Sequence, residues 1–343
     1  MKLVSYLQHN SEKLGLYINE RIYGLKEAAE ACGYKDIPPT IALFLKGEED
    51  SMDKARHIEE KLKTGKILTE SFEWKEVEIM APVPHPTSCR DGYAFRQHVA
   101  AARRNRSVEM ITEFDEYPIF YFTNHQAIQG PGDVWCMPDH FKQLDFELEA
   151  CVVIGKKGRN IRAKDADQYI AGFMIMNDLS ARVLQMEEMK LNLGPAKGKD
   201  FSTVIGPWLV TPDELAGHKI ACKPGHVGNS YNLEMKCSVN GIEVSKGNMG
   251  DMDWTFAEII ERCAYGADIF PGDVIGSGTV GTGCFLELNG TGKLSNPDYP
   301  VQWLKEGDVV DMSITGLGCL TNTIRSVKTD FSILALKKSV LTT

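Results

Sequence analysis

The sequence predicts an α+β chain that is mainly β, with a small N-terminal domain (residues 1–80) ahead of a larger one (residues 81–343). Three observations predict it. Beyond residue 80, short apolar runs alternate with clusters of Gly, Pro, Asn and Asp, the signature of strands joined by tight turns. Long helical patterns are scarce between those runs, which disfavours a doubly wound sheet, where helices must alternate with strands. Met80-Ala81-Pro82-Val83-Pro84-His85-Pro86 concentrates prolines that stop regular structure, and this sets the domain boundary near residue 80.

Taken in order, Lys2–Leu7 and Gly15–Leu25 alternate apolar and polar residues around His9-Asn10-Ser11-Glu12, the pattern of a β-hairpin. The stretch from Leu25 to Leu68 is mostly helical in pattern. Strands are expected at Phe146–Ile154, Tyr169–Met176, Val204–Val210, Leu233–Val239, Val274–Ile275, Phe285–Leu288 and Val309–Ile314.

The chain has 343 residues, 43% of them hydrophobic and 25% charged, a globular composition. No window reaches the roughly 18 apolar residues of a membrane span, and the first residues carry no secretory pattern, so a soluble cytoplasmic protein is expected. A net charge of −9 disfavours a protein that binds nucleic-acid phosphates. Nine cysteines lie singly, without C-x-x-C, so buried free thiols are expected rather than a zinc site or a disulfide framework.

Two segments imitate phosphate loops. Gly276-Ser277-Gly278-Thr279-Val280-Gly281 fits G-x-G-x-x-G, but the following Cys284-Phe285-Leu286-Glu287-Leu288 is expected to continue as strand, so the helix N-terminus that a dinucleotide needs is missing. Gly194-Pro195-Ala196-Lys197-Gly198-Lys199-Asp200 has one intervening residue too few, and Asp where Ser or Thr should meet magnesium.

The carboxylates carry more information. Glu147 and Glu149 lie two apart on a strand and share a face, with Phe146, Leu148 and Ala150 on the other; this is either a solvent-facing edge or a cation site. In Gly172–Arg182 an apolar strand runs into Asn177-Asp178. A helix starting there would place Asp178, Arg182 and Gln185 on one stripe, and Asp91 and His98 have the same helical spacing. A capping Asp and a structural His remain open alternatives at this level.

Asp145–Ile161 (DFELEACVVIGKKGRNI) and Gly172–Arg182 (GFMIMNDLSAR) resemble the signature segments of the fumarylacetoacetate hydrolase family. The likeness continues in order through Arg90–His98, Gly198–Trp208, Gly276–Leu288 and Glu306–Ile314. The resemblance implies a mixed β-sandwich roll and a homodimer. It further implies that Asp91, Glu147, Glu149 and Asp178 hold a divalent ion (Mg²⁺, or Ca²⁺ or Mn²⁺), with Lys199 and Thr203 beside it. An all-oxygen donor set suits such hard cations. It assigns His98 as general base, oriented by Glu287; Arg182, Gln185 and Lys199 as stabilisers of developing negative charge; and Tyr93 and Thr279, with Arg182 and Gln185, as substrate contacts.

The expected reaction is metal-dependent hydrolysis of a C–C bond in a small diketo or acylpyruvate-type acid, with water activated by His98 and Glu287. The same site in the family also serves decarboxylases and isomerases of oxo-diacids, and these stand as the alternative. A metal-binding protein without turnover is the non-enzymatic alternative. The expected partner is a small oxo-acid, with neither nucleic acid nor membrane. Between residues 100 and 140, where fumarylacetoacetate-cleaving relatives grip substrate with an Arg and a Tyr, Arg103, Arg104, Arg106 and His125 offer no clear match.

Overall fold

The computed structural model describes residues 1–335; residues 336–343 of the expected second domain lie outside the described ones. Two sheets face each other. The larger has twelve strands, whose main path runs Ser71–Glu73, Arg21–Gly24, Ser11–Ile18, Lys2–Gln8, Thr203–Val210, Ile170–Asp178, Leu148–Ile154, Asp273–Gly276, Ser88–Gly92, Phe120–Thr123. The smaller has five: Ile242–Asn248, Glu234–Val239, Val309–Ile314, Gly318–Ser326 and Gly132–Cys136. The protein is mainly β, as expected, and the sheets do not close into a barrel.

Strand alternation builds both layers of core. Along Leu148–Ile154 the residues Leu148, Ala150, Val152 and Ile154 pack with Met235, Cys237, Val310 and Met312 of the small sheet. Cys151 and Val153 point the other way, into a second core closed by Leu25, Ala28, Ile41, Phe44 and Ile58 of the N-terminal helices. Both faces of this strand are thus buried, which explains its nearly unbroken apolar run.

The N-terminal hairpin turns at His9 and Asn10, both with positive φ (51° and 60°), the conformation of a two-residue hairpin turn. A second turn at Asn19 and Glu20 adds Arg21–Gly24, so the expected hairpin is a longer meander. Its first strand pairs with Leu209 and Val210, and residues 1–80 thereby extend the sheet built by later residues. The helical stretch resolves into Leu25–Ala31, Ile41–Leu45 and Glu48–Lys63.

One strand assignment is corrected. Phe285–Ser295 is a helix, not a strand, so a helix does follow the glycine loop. Its N-terminus is already filled: the Asp145 carboxylate accepts the N–H groups of Phe285 (2.7 Å) and Leu286 (2.9 Å). The preceding strand Asp273–Gly276 also lies antiparallel to Leu148–Ile154. A pyrophosphate has no free helix terminus here, and the dinucleotide reading fails for this reason rather than for want of a helix.

No disulfide occurs among the described residues. Cys89, Cys136, Cys151, Cys237, Cys263 and Cys284 are buried thiols, whereas Cys32 and Cys222 are half-buried and Cys319 is exposed. No described helix is long and apolar enough to cross a membrane.

Candidate metal centre and proton-transfer dyad

Three strands of the large sheet bring the acids together: Leu148–Ile154 and Ile170–Asp178 are neighbours, and Ser88–Gly92 lies one strand beyond, across Asp273–Gly276. Glu149 is paired with Met176, Asp91 with Gly276 and Asp178 with Thr203, so Asp91, Glu149 and Asp178 converge with Glu147 from the residue just before Leu148–Ile154. Donor oxygens of all four lie within 4.8 Å of one another, and none of the four residues is more than 5% exposed. Such burial excludes a solvent-facing edge for Glu147 and Glu149. Two helical stripes are corrected as well: Asp178 ends the strand Ile170–Asp178, and Asp91 sits on the strand Ser88–Gly92. Arg182 and His98 do begin and occupy helices, Arg182–Met189 and Arg96–Arg104.

Burying like charges so close together is costly, and the protonation pattern shows it. Burial, and then the neighbouring Asp178, pushes the Asp91 carboxyl up to about 7. Burial, followed by the charge of Asp91, raises Glu149 well above the usual carboxylate range. Burial also opposes ionisation of Glu147, but Lys199 and Arg182 outweigh it and hold that carboxyl down to about 2. Lys199 donates to Glu147 Oε2 and, at 2.9 Å, to Asp178 Oδ2.

The donor set fits a hard divalent cation. Glu149 Oε2 is buried without a hydrogen-bond partner. Beneath the cluster is Gly276, where a Cβ would lie 2.3 Å from Asp91 Oδ1 and 3.1 Å from Glu149 Oε2, so the missing side chain keeps the cradle open. Oxygen donors crowded at this spacing are the coordination chemistry of such ions.

Around the cluster, Thr203 Oγ1 donates to Asp178 Oδ1 at 3.5 Å and Thr279 Oγ1 to Glu149 Oε1 at 3.3 Å, so Thr279 supports a carboxylate in this structure. Tyr121, which sequence reasoning left unassigned, donates its hydroxyl to Asp178 Oδ2 at 2.5 Å. Its clue was the pairing of Phe120–Thr123 beside Asp91, visible only in the fold. Asp145 is a second residue missed. It is fully buried and binds Arg182, whose guanidinium also reaches Glu147 Oε1 (2.8 Å) and Gln185 Oε1 (2.9 Å).

His98 and Glu287 are brought into contact. His98 Nδ1 lies 2.6 Å from Glu287 Oε2, and Glu287 Oε1 accepts the Thr282 N–H at 3.0 Å. Because Glu287 can only accept as a carboxylate, Nδ1 carries the proton and Nε2 is the basic nitrogen. Tyr93 stands edge-on to the His98 ring, with centroids 5.9 Å apart. His98, Tyr93, Gln185, Lys199, Thr279 and Glu287 line one cavity of about 810 Å³ that also reaches Asp91 and Glu147. His125 does not line it, whereas Arg103 and Arg106 do.

A family model for the fumarylacetoacetate (FAA) hydrolase C-terminal region matches residues 87–325. The chain is 31% identical over 293 residues to the mitochondrial oxaloacetate tautomerase Fahd2a of Rattus norvegicus, covering 84% of this chain and 80% of that protein. It is 29% identical over 334 residues to oxaloacetate tautomerase YisK of Bacillus subtilis (strain 168), covering 94% and 100%. The fold is similar to that of maleylpyruvate hydrolase from Sphingobium sp. SYK-6, solved with manganese(II) ion and pyruvate (TM-score 0.66, 18% identity, 96% and 100% covered). It is also similar to fumarylacetoacetate hydrolase from psychrophilic Exiguobacterium antarcticum (TM-score 0.65, 22% identity, 95% and 100% covered). With carboxylate cradle, dyad and sheet order in place and more than two thirds of the sequence matched, the chain belongs to the fumarylacetoacetate hydrolase family of enzymes.

Proposed function

We propose that this protein is a divalent-metal-dependent enzyme that interconverts the enol and keto forms of a 2-oxo acid, with an oxaloacetate-like diacid as its simplest substrate. The observation that carries the proposal is the His98–Glu287 pair, which opens onto the same cavity as the buried carboxylate cluster. Asp91, Glu147, Glu149 and Asp178 would hold Mg²⁺, Mn²⁺ or Ca²⁺, and the ion when bound supplies Lewis acidity toward the oxo group and charge balance for the acid.

The protein's own groups account for the proton transfer. His98 Nε2 removes a proton from the carbon next to the oxo group, and the electron pair moves onto the oxo oxygen. Glu287 stabilises the imidazolium that results. Lys199 and the Gln185 amide line the cavity where that oxygen gains charge, and preorganised donors there lower the barrier. Protonation of the oxygen completes the enol, with one hydrogen moved from carbon to oxygen; the reverse steps give the keto acid. Relatives named oxaloacetate tautomerases support this reading over the expected hydrolysis.

Hydrolysis of a diketo acid is the second reading. The same dyad favours it, because His98 held by Glu287 can equally deprotonate water. One experiment separates the two. The decay of enol absorbance in freshly dissolved enol-oxaloacetate is followed with Mg²⁺ or Mn²⁺ and after chelation, and cleavage of acetopyruvate is run in parallel. Metal-dependent acceleration of the first without cleavage of the second is the predicted outcome; cleavage without acceleration would establish hydrolysis instead.

A further inference from the structure

The cavity is far larger than a four-carbon acid requires. At about 810 Å³ it lies toward the upper end of the range that encloses drug-sized ligands. Asp91, Glu147, Arg182, Lys199 and the dyad form a buried polar part of its lining. The lining also presents apolar side chains from four separate parts of the chain: Val99 and Ala102 from helix Arg96–Arg104, Phe120 from the edge strand, Met186 and Met189 from helix Arg182–Met189, and Trp303.

Two of these, Met186 and Met189, are 37% and 43% exposed, and Ile119, which also faces the cavity, is 53% exposed. Large apolar side chains that converge while uncovered mark a surface that a ligand completes. Methionine suits such a wall, because its unbranched thioether adapts to different shapes. The cations on the lining are arranged differently. Arg106 and Lys293 are exposed, and the Arg103 and Arg106 Nε groups are tied to the carbonyls of Glu109 and Ala102. They line the same cavity as the apolar side chains and attract an anionic acid to it.

We infer that the preferred substrate is a 2-oxo acid whose distal substituent is bulky and apolar, an aryl or branched alkyl group of roughly six to ten carbons that fills this chamber. The inference rests on the 2-oxo acid chemistry proposed above and adds the distal specificity. Oxaloacetate is then a minimal substrate that uses only the buried polar part of the lining.

The test is the rate of enol–keto interconversion in a series of acylpyruvates with lengthening alkyl ends and a phenyl end, a carboxylate-ended control of equal length, and oxaloacetate as reference, all on Mg²⁺-loaded enzyme. The expected result is a rise in kcat/KM of about fourfold per added methylene until the chamber is full, equivalent to about 0.8 kcal/mol per buried CH₂. The phenyl-ended acid should exceed the carboxylate-ended control at least tenfold. Met189→Lys, at a position exposed enough to accept the charge, should cut the ratio of phenyl-ended to oxaloacetate kcat/KM at least tenfold. A flat or falling series, or preference for the carboxylate end, with oxaloacetate still turned over, overturns the inference alone. If no acid is turned over, the proposed reaction falls, and calorimetric affinities for the same series decide the chamber by the same trend.

Discussion

Asp145 grips Arg182 at the buried centre of the site, with one carboxylate oxygen 2.9 Å from Nε and 2.8 Å from Nη2. The same carboxylate caps the helix Phe285–Ser295, which carries Glu287, while Arg182 reaches on to Glu147. One acid therefore ties the helix that carries Glu287 to a member of the carboxylate cluster. Asp145→Asn leaves the buried guanidinium without its charge partner. Chemical denaturation of this variant should show a loss of about 3–5 kcal/mol, the usual cost of breaking a buried pair. A loss below about 1 kcal/mol would mean that the pair is not integral to the fold.

His98→Asn should lower turnover by about 10²–10⁴-fold, the usual contribution of a positioned general base. His98 is not among the four clustered acids, so the rise in Tm caused by Mg²⁺ should be nearly that of the unaltered protein. If turnover survives, the dyad is not the base.

Gly276→Ala places a methyl group where Asp91, Glu149 and the Met176 terminus converge, with contacts of 2.3, 3.1 and 2.9 Å. Divalent-ion affinity should fall about 10- to 100-fold, a typical effect of disturbing the surroundings of metal ligands. The far-ultraviolet circular dichroism should be unchanged. Unaltered affinity would show that the cradle tolerates a Cβ.

The raised carboxyls fix a pH dependence. In the metal-free fold Asp91 and Glu149 keep protons that the unfolded chain releases above about pH 4. The folded state then binds more protons than the unfolded one, so this contribution to stability falls as pH rises from about 4 toward 7. A bound cation removes the penalty by favouring the ionised acids. The Tm difference between metal-loaded and chelated protein should therefore widen from pH 5 to pH 8, and titrations in buffers of different ionisation enthalpy should reveal protons released on metal binding. A difference that is constant over this range would contradict the protonation pattern.

Much of the site was legible because it is written in strands. Glu147 and Glu149 announce their shared face by period-two spacing, and the apolar run before Asp178 announces a buried strand. The dyad came from motif resemblance, since nothing local joins His98 to Glu287. What was misread has physical causes. Phe285-Leu286-Glu287-Leu288 alternates like a strand, and the helix it begins is capped by Asp145, 140 residues away in sequence. Asp178 does end the apolar strand, but no helix starts there, because Ser180–Ala181 pairs with Leu144–Asp145 and this short antiparallel pairing delays the helix until Arg182. Tyr121 lies on a strand whose register beside Asp91 no local pattern records. The apolar chamber is assembled from segments far apart in sequence, so it too became visible only in the fold.

Isothermal titration of Mg²⁺ or Mn²⁺ into chelator-stripped protein, compared with Glu149→Gln, tests the carboxylate cradle most directly. Saturable binding of one ion per chain is predicted, weakened at least 100-fold by a substitution that preserves size and removes a carboxyl able to ionise when the ion binds. Equal affinity in the two proteins, or no binding by the unaltered chain, would contradict it.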